Sequence, residues 1–224
     1  MKILKTILIL LSVFLFTSCR NTGGKQDIET SNVDTLRTTK THVNPQFDEN
    51  IISKIKKHYH NKYGGKGEFN EQNTDSTYEL SYRYDGTDYD NDFFHDMIYI
   101  AKNDSCKDFF ALNPIIYGDL NNDMSQDLVV TVHIEGGGNA NWDNEIFVFL
   151  NENDKLIFTN VTSSRDLADC EGTFLPKKIE SGYLIGNSSC FGSDDNLWSP
   201  SINYITKVKL ESHKLVFKSK VKAK

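Results

Sequence analysis

The chain has 224 residues, with 25 basic and 31 acidic side chains and a formal net charge of −6 at pH 7. Its length suits one main domain, at about 150 residues per domain, large enough to bury a real core. The acidic balance argues against a nucleic-acid binder, whose footprint is a basic patch or stripe.

Lys2 and Lys5 open the chain, an apolar run from Ile7 to Phe16 is interrupted only by Ser12, and Phe16-Thr17-Ser18 leads into Cys19. A basic start, an apolar core of about 7–15 residues and a small-residue site form a secretory signal. The run is short of the roughly 20 apolar residues that a spanning helix needs. The cysteine directly after Phe-Thr-Ser resembles a bacterial lipoprotein processing site. That resemblance implies residues 1–18 as a cleaved signal peptide, diacylglycerol on the sulfur of Cys19 and a further acyl chain, such as palmitate, on its new amine. It implies a protein of the bacterial cell envelope whose first partner is a membrane, reached through lipidated Cys19. Arg20 stands where an Asp would signal inner-membrane retention, which points to the outer membrane. Three acyl chains make release negligible, whereas one alone binds reversibly.

Residues 19–45 are polar, rich in Thr and Asn and nearly free of large apolar side chains. They cannot bury enough surface to offset their ordering entropy, so a flexible tether is expected, reaching about 25–30 Å as coil. Residues 46–224 form the expected β-rich domain, opened by a helix over Gln46–Tyr63. Phe47, Ile51, Ile52, Ile55 and Tyr59 recur at helical spacing, Pro45 suits the start and Gly64-Gly65 the end. His58 and His60, two apart, point to different helix faces and read as surface groups.

Beyond the helix the period becomes two. Tyr78, Leu80, Tyr82 and Tyr84 alternate with polar residues as a half-buried strand. Strands are also expected at Met97–Ala101, Leu128–Ile134, Glu145–Leu150, Leu156–Phe158, Ile202–Leu210 and Lys214–Ser219. Gly172–Ile179 and Tyr183–Asn187 form a hairpin turning at Glu180-Ser181-Gly182. The fold class is therefore α+β, mainly β, a mostly antiparallel sheet with one packed N-terminal amphipathic helix.

Cys170 and Cys190 flank that hairpin with position 180 midway between them. They are the candidate disulfide, which an export compartment permits. Cys106 then reads as a buried free thiol, since no partnered His or acid is recognisable from spacing. Charge is uneven: residues 68–96 carry nine acids against Arg83, and residues 207–224 carry seven lysines against Glu211. These are solvated faces or, for the basic tail, a surface for anionic headgroups or for the acidic segment. The acidic loop Asp85–Asp92 reads as solvated.

The strongest internal motif is Gly118-Asp119-Leu120-Asn121-Asn122-Asp123-Met124-Ser125-Gln126-Asp127, running straight into Leu128–Ile134. Oxygen-bearing side chains fall at loop positions 1, 3, 5 and 9: Asp119, Asn121, Asp123 and Asp127. The carbonyl of Ser125 adds position 7. Calcium takes six to eight such hard oxygens. An Asx-rich turn, whose carboxylates accept backbone N–H groups, accounts for the same residues. Val130 stands where an EF-hand needs its bidentate Glu. The spacing instead resembles the calcium loop of FG-GAP-type repeats, which lies between β-strands. Residues 118–218 also resemble bacterial periplasmic and lipoprotein β-domains of unknown function, in Gly118–Asp123, Leu128–Ile134, the Gly136-Gly137-Gly138 loop and Ile146–Asn151. These resemblances imply a β fold and calcium, and no reaction.

Gly136-Gly137-Gly138 lacks the Lys-Ser/Thr ending of a phosphate loop. Trp142 and Trp198, in polar surroundings, are candidate ligand contacts through stacking on a sugar ring, or are partly buried against the sheet. The leading expectation is a non-catalytic, lipid-anchored envelope module, with calcium as its cofactor and an envelope protein or a glycan as its partner. The alternative is a carboxylate-dependent hydrolase or glycan-binding envelope protein.

Overall fold

The computed structural model describes residues 49–63, 67–75, 77–84, 95–102, 115–135, 142–196 and 199–223. All of them lie in one compact unit, Arg37–Lys224. The signal peptide, Cys19, the tether, the Asp85–Asp92 loop, Cys106, Gly136–Gly138 and Trp198 lie outside the described residues.

Helix α1 (Glu49–Lys62) buries Ile51, Ile52, Ile55 and Tyr59. These recur at three- and four-residue steps and form one stripe. The stripe packs on a mainly antiparallel sheet built from β1 (Gly67–Asn73), β2 (Thr77–Tyr84), β3 (His95–Ala101), β5 (Asp127–Glu135), β6 (Trp142–Glu152) and β7 (Lys155–Ser163), adjacent in that order. The short β4 (Ile116–Gly118) also pairs with β5. Register assigns each face. Leu128 sits opposite Phe149 and Val130 opposite Phe147, and all four join Leu80, Ile98 and Ile100 beneath α1. Each such side chain contributes about 1.5–3 kcal/mol on burial.

The residues between them face the other way. Val129, Ile146, Val148 and Leu150 form a second core with Phe174, Leu184, Val208 and Leu215. The latter four come from a second sheet, an antiparallel meander of β8 (Gly172–Glu180), β9 (Tyr183–Cys190), β10 (Ile202–Glu211) and β11 (Lys214–Lys222). The first sheet is therefore the middle layer, with α1 on one face and the second sheet on the other. That is why β5 and β6 are buried along nearly their whole length and why Ile146–Leu150 of β6 reads as an unbroken apolar run.

Short helix α2 (Ser164–Ala168) bridges β7 to the second sheet and buries Leu167 and Ala168 in the same core. Ser163 caps it, its Oγ accepting from Arg165 N at 3.2 Å. Asp169 ends it in the left-handed region at φ 54°, a conformation Asp tolerates better than most residues. A disulfide joins Cys170 to Cys190 with Cα atoms 5.9 Å apart. It ties the turn after α2 to the last residue of β9. Among the described residues no helix is long and apolar enough to cross a membrane.

Candidate functional site

Among the described residues, three clusters carry most of the polar chemistry. The first is the loop between β4 and β5. Gly118 pairs with Asp127, so residues 119–126 close a hairpin. Asp127 is fully buried, accepting from Leu120 N at 2.8 Å and from Asn151 N at 2.9 Å. Burial pushes its carboxyl above the usual range, and the charges of Asp123 and Asp119 add to that, against the two amides. Asp119 accepts from the backbone N–H groups of Asp123 (3.1 Å) and Met124 (2.9 Å). Asn121 Oδ1 accepts from Asp123 N at 3.0 Å, and its amide donates to Asp123 Oδ2 at 2.8 Å. Asp123 Oδ1 accepts from Ser125 N at 2.7 Å. Burial raises the Asp123 carboxyl, but the Asn121 and Ser125 donors outweigh it and hold the group below its ordinary value.

The sharp turn is made by Asn122 at φ 62° and Met124 at φ 67°. Met124 has no glycine's freedom there, and its side chain projects into solvent, 80% exposed. The loop seats against the β8–β9 turn. A Cβ on Gly182, itself at φ 73°, would fall 2.3 Å from Asn122 Nδ2. One on Gly118 would fall 2.7 Å from Ile179 Cβ. Loop and hairpin therefore interlock through two positions where only glycine fits.

Asp119, Asn121, Asp123 and the Ser125 carbonyl supply the hard oxygen donors that calcium takes. Asp127 is committed to two amides of the fold. Among the described residues no three His, Cys, Asp or Glu side chains are grouped to hold a metal.

The second cluster surrounds Trp142, the first residue of β6. Arg165 lies over its ring, 5.6 Å from the centroid, and donates from Nη2 to the Trp142 carbonyl at 2.6 Å. His133 stands 6.0 Å away on the same side of the sheet and Tyr99 lies 6.3 Å beyond it, a row of rings across β6, β5 and β3. His133 Nδ1 is 2.8 Å from Asn144 Oδ1, and both residues are buried. Burial, then the charges of Glu135 and Glu79, push the Tyr99 phenol up. Trp142 is 38% exposed, and its ring already has Arg165 and His133 as neighbours.

The third cluster was hidden in the sequence. Glu145 opens the apolar run of β6 on the face beneath α1. Tyr59 donates its hydroxyl to Glu145 Oε2 at 2.8 Å and Lys62 its ammonium to Oε1 at 2.7 Å. His58 Nε2 lies 3.5 Å from Oε2. Burial favours the neutral acid, but the His58 ring, Lys62 and Tyr59 outweigh it and hold Glu145 down at about 2. The Tyr59 phenol is pushed well up by burial and then by Glu145. His58 is thus no plain surface group: its ring also meets Phe147 edge-on at 5.2 Å. The usable signal was a lone Glu at the head of a buried strand, which needs a cation.

These clusters stay apart: the loop sits by the second sheet, Trp142 by α2, and Glu145 under α1. Compared with family models, with curated proteins and with solved structures, the chain matches none.

Proposed function

We propose that the chain is an exported, lipid-anchored bacterial envelope protein whose β-domain is a non-catalytic binding or structural module. One structural observation carries the reading: the Cys170–Cys190 disulfide, fastening α2 to the second sheet. Such bridges form and persist in oxidising compartments, and the lipoprotein-like start at Cys19 supplies the route to one. The polar clusters agree with a binding or structural role. Glu145 is committed to Tyr59 and Lys62, and Asp127, whose carboxyl is raised, to two backbone amides. Fractionation tests the reading. Wild type should partition with membranes, and Cys19→Ala should be found in the soluble exported fraction. A wild type recovered from the cytosol would refute it.

Calcium at Asp119, Asn121, Asp123 and the Ser125 carbonyl is the second reading of the loop. It is favoured by the like charges of Asp119 and Asp123 bearing on Asp127, a repulsion that a bound cation would relieve. Binding to the native state raises Tm with ligand concentration. Millimolar calcium should raise the Tm of wild type and leave that of Asp123→Ala unchanged. No rise in wild type would leave the loop as an amide-bonded latch.

A further inference from the structure

The outer face of the second sheet, turned away from the core, is the strongest unexplained surface. Its register is Glu180–Tyr183–Lys209–Val216, then Lys178–Ile185–Lys207–Ser219, then Leu175–Asn187–Ile205–Val221. Of the seven exposed large apolar side chains among the described residues, three lie on this one face: Ile205, Val216 and Val221, at 47%, 37% and 68%. Lysines stand among them. Lys207 and Lys209 lie over the Tyr183 ring at 5.8 and 5.7 Å, and Lys178 pairs with Glu180 at 3.0 Å. On the face itself Lys178, Lys207 and Lys209 stand against Glu180, a net of +2, on a chain whose overall net charge is −6.

We propose that this face docks on an anionic lipid surface. Charge complementarity selects the occupant, because each lysine near such a surface adds attraction. The apolar side chains select lipid over a purely ionic partner. Lysine stems lie along apolar surface while their ammonium groups reach outward to headgroups, and exposed Ile205 and Val221 meet the layer beneath. A pleated sheet offers these groups as an open face, which suits a planar partner. The proposal rests on the envelope reading only for the nearness of a membrane.

Vesicle co-sedimentation of the full chain carrying Cys19→Ser tests it without the lipid anchor. Lys178→Glu/Lys207→Glu/Lys209→Glu, in the same background, shares Lys2 and Lys5, so the difference between the two chains reads the sheet. The parent should bind vesicles with one-third phosphatidylglycerol more tightly than pure phosphatidylcholine vesicles, increasingly so at low salt. The triple variant should lose about tenfold to a hundredfold on the anionic vesicles while keeping the parental Tm. Ile205→Ser/Val221→Ser should also weaken binding. Equal binding by the parent and the triple variant overturns the proposal. Binding untouched by the apolar pair overturns it in favour of an acidic protein partner. A dimer in sedimentation velocity that the triple variant dissolves, without vesicle preference, overturns it in favour of a second copy. None of these outcomes bears on lipidation of Cys19, which is read separately by labelling.

Discussion

The hydroxyl of Tyr59, on α1, donates a 2.8 Å hydrogen bond to Glu145 Oε2, on β6, across 86 residues of sequence. Lys62, one turn on, takes the other carboxylate oxygen at 2.7 Å. One buried anion thus fastens the helix to the middle layer. A second anion, Glu71, fastens edge strand β1, accepting from Lys56 and from the Tyr78 hydroxyl.

Removing the charge at Glu145 should loosen that clamp. Glu145→Gln keeps the volume and an acceptor for Tyr59 but leaves Lys62 without its counter-ion. The loss should be on the order of 2–3 kcal/mol at neutral pH, read by urea denaturation. Tyr59→Phe should lose about 1–2 kcal/mol, and the double variant should lose less than the sum. Additive losses would mean that the two groups do not act on each other.

The same clamp gives a pH signature. The folded carboxyl titrates at about 2, below its value of about 4.3 in an unfolded chain. A depressed carboxyl contributes stability above the unfolded pKa and loses it as pH falls through the folded one. The stability gap between wild type and Glu145→Gln should therefore be full above about pH 4.5 and shrink towards zero near pH 2. A gap that persists at pH 2 would assign it to packing rather than charge.

Loop variants separate strain from support. Met124 holds φ 67° with its side chain in solvent, so Met124→Gly should raise stability by about 0.5–1 kcal/mol. Asp127 accepts from two amides, and an Asn there offers only one acceptor. Asp127→Asn should therefore lose about 1–3 kcal/mol. A neutral Asp127→Asn would show that the buried amides find other partners.

Much of this fold is legible in the sequence because burial leaves a period. The helix expected over residues 46–63 is present as Glu49–Lys62, and the 172–187 hairpin as β8 and β9. β1 was not legible. Gly67–Asn73 is mostly Gly, Glu, Asn and Gln, residues depleted in strands, and it pairs with β2 alone at the sheet edge. Nor was the division into two sheets. Val129 and Ile146 announce that the far face of the middle sheet is covered, but a period of two cannot name the cover. Asp127 was legible as an oxygen in a loop. That its oxygens are held by Leu120 N and Asn151 N depends on β6 arriving beside it, 24 residues later. Glu145 escaped because one charge among apolar neighbours leaves the hydrophobic pattern unchanged.

The most direct measurement of the central claim is metabolic labelling with radioactive palmitate in a bacterial host, comparing wild type with Cys19→Ala. Label on wild type and none on Cys19→Ala is the predicted result. An unlabelled wild type, or equal label on both, would contradict lipid anchoring at Cys19.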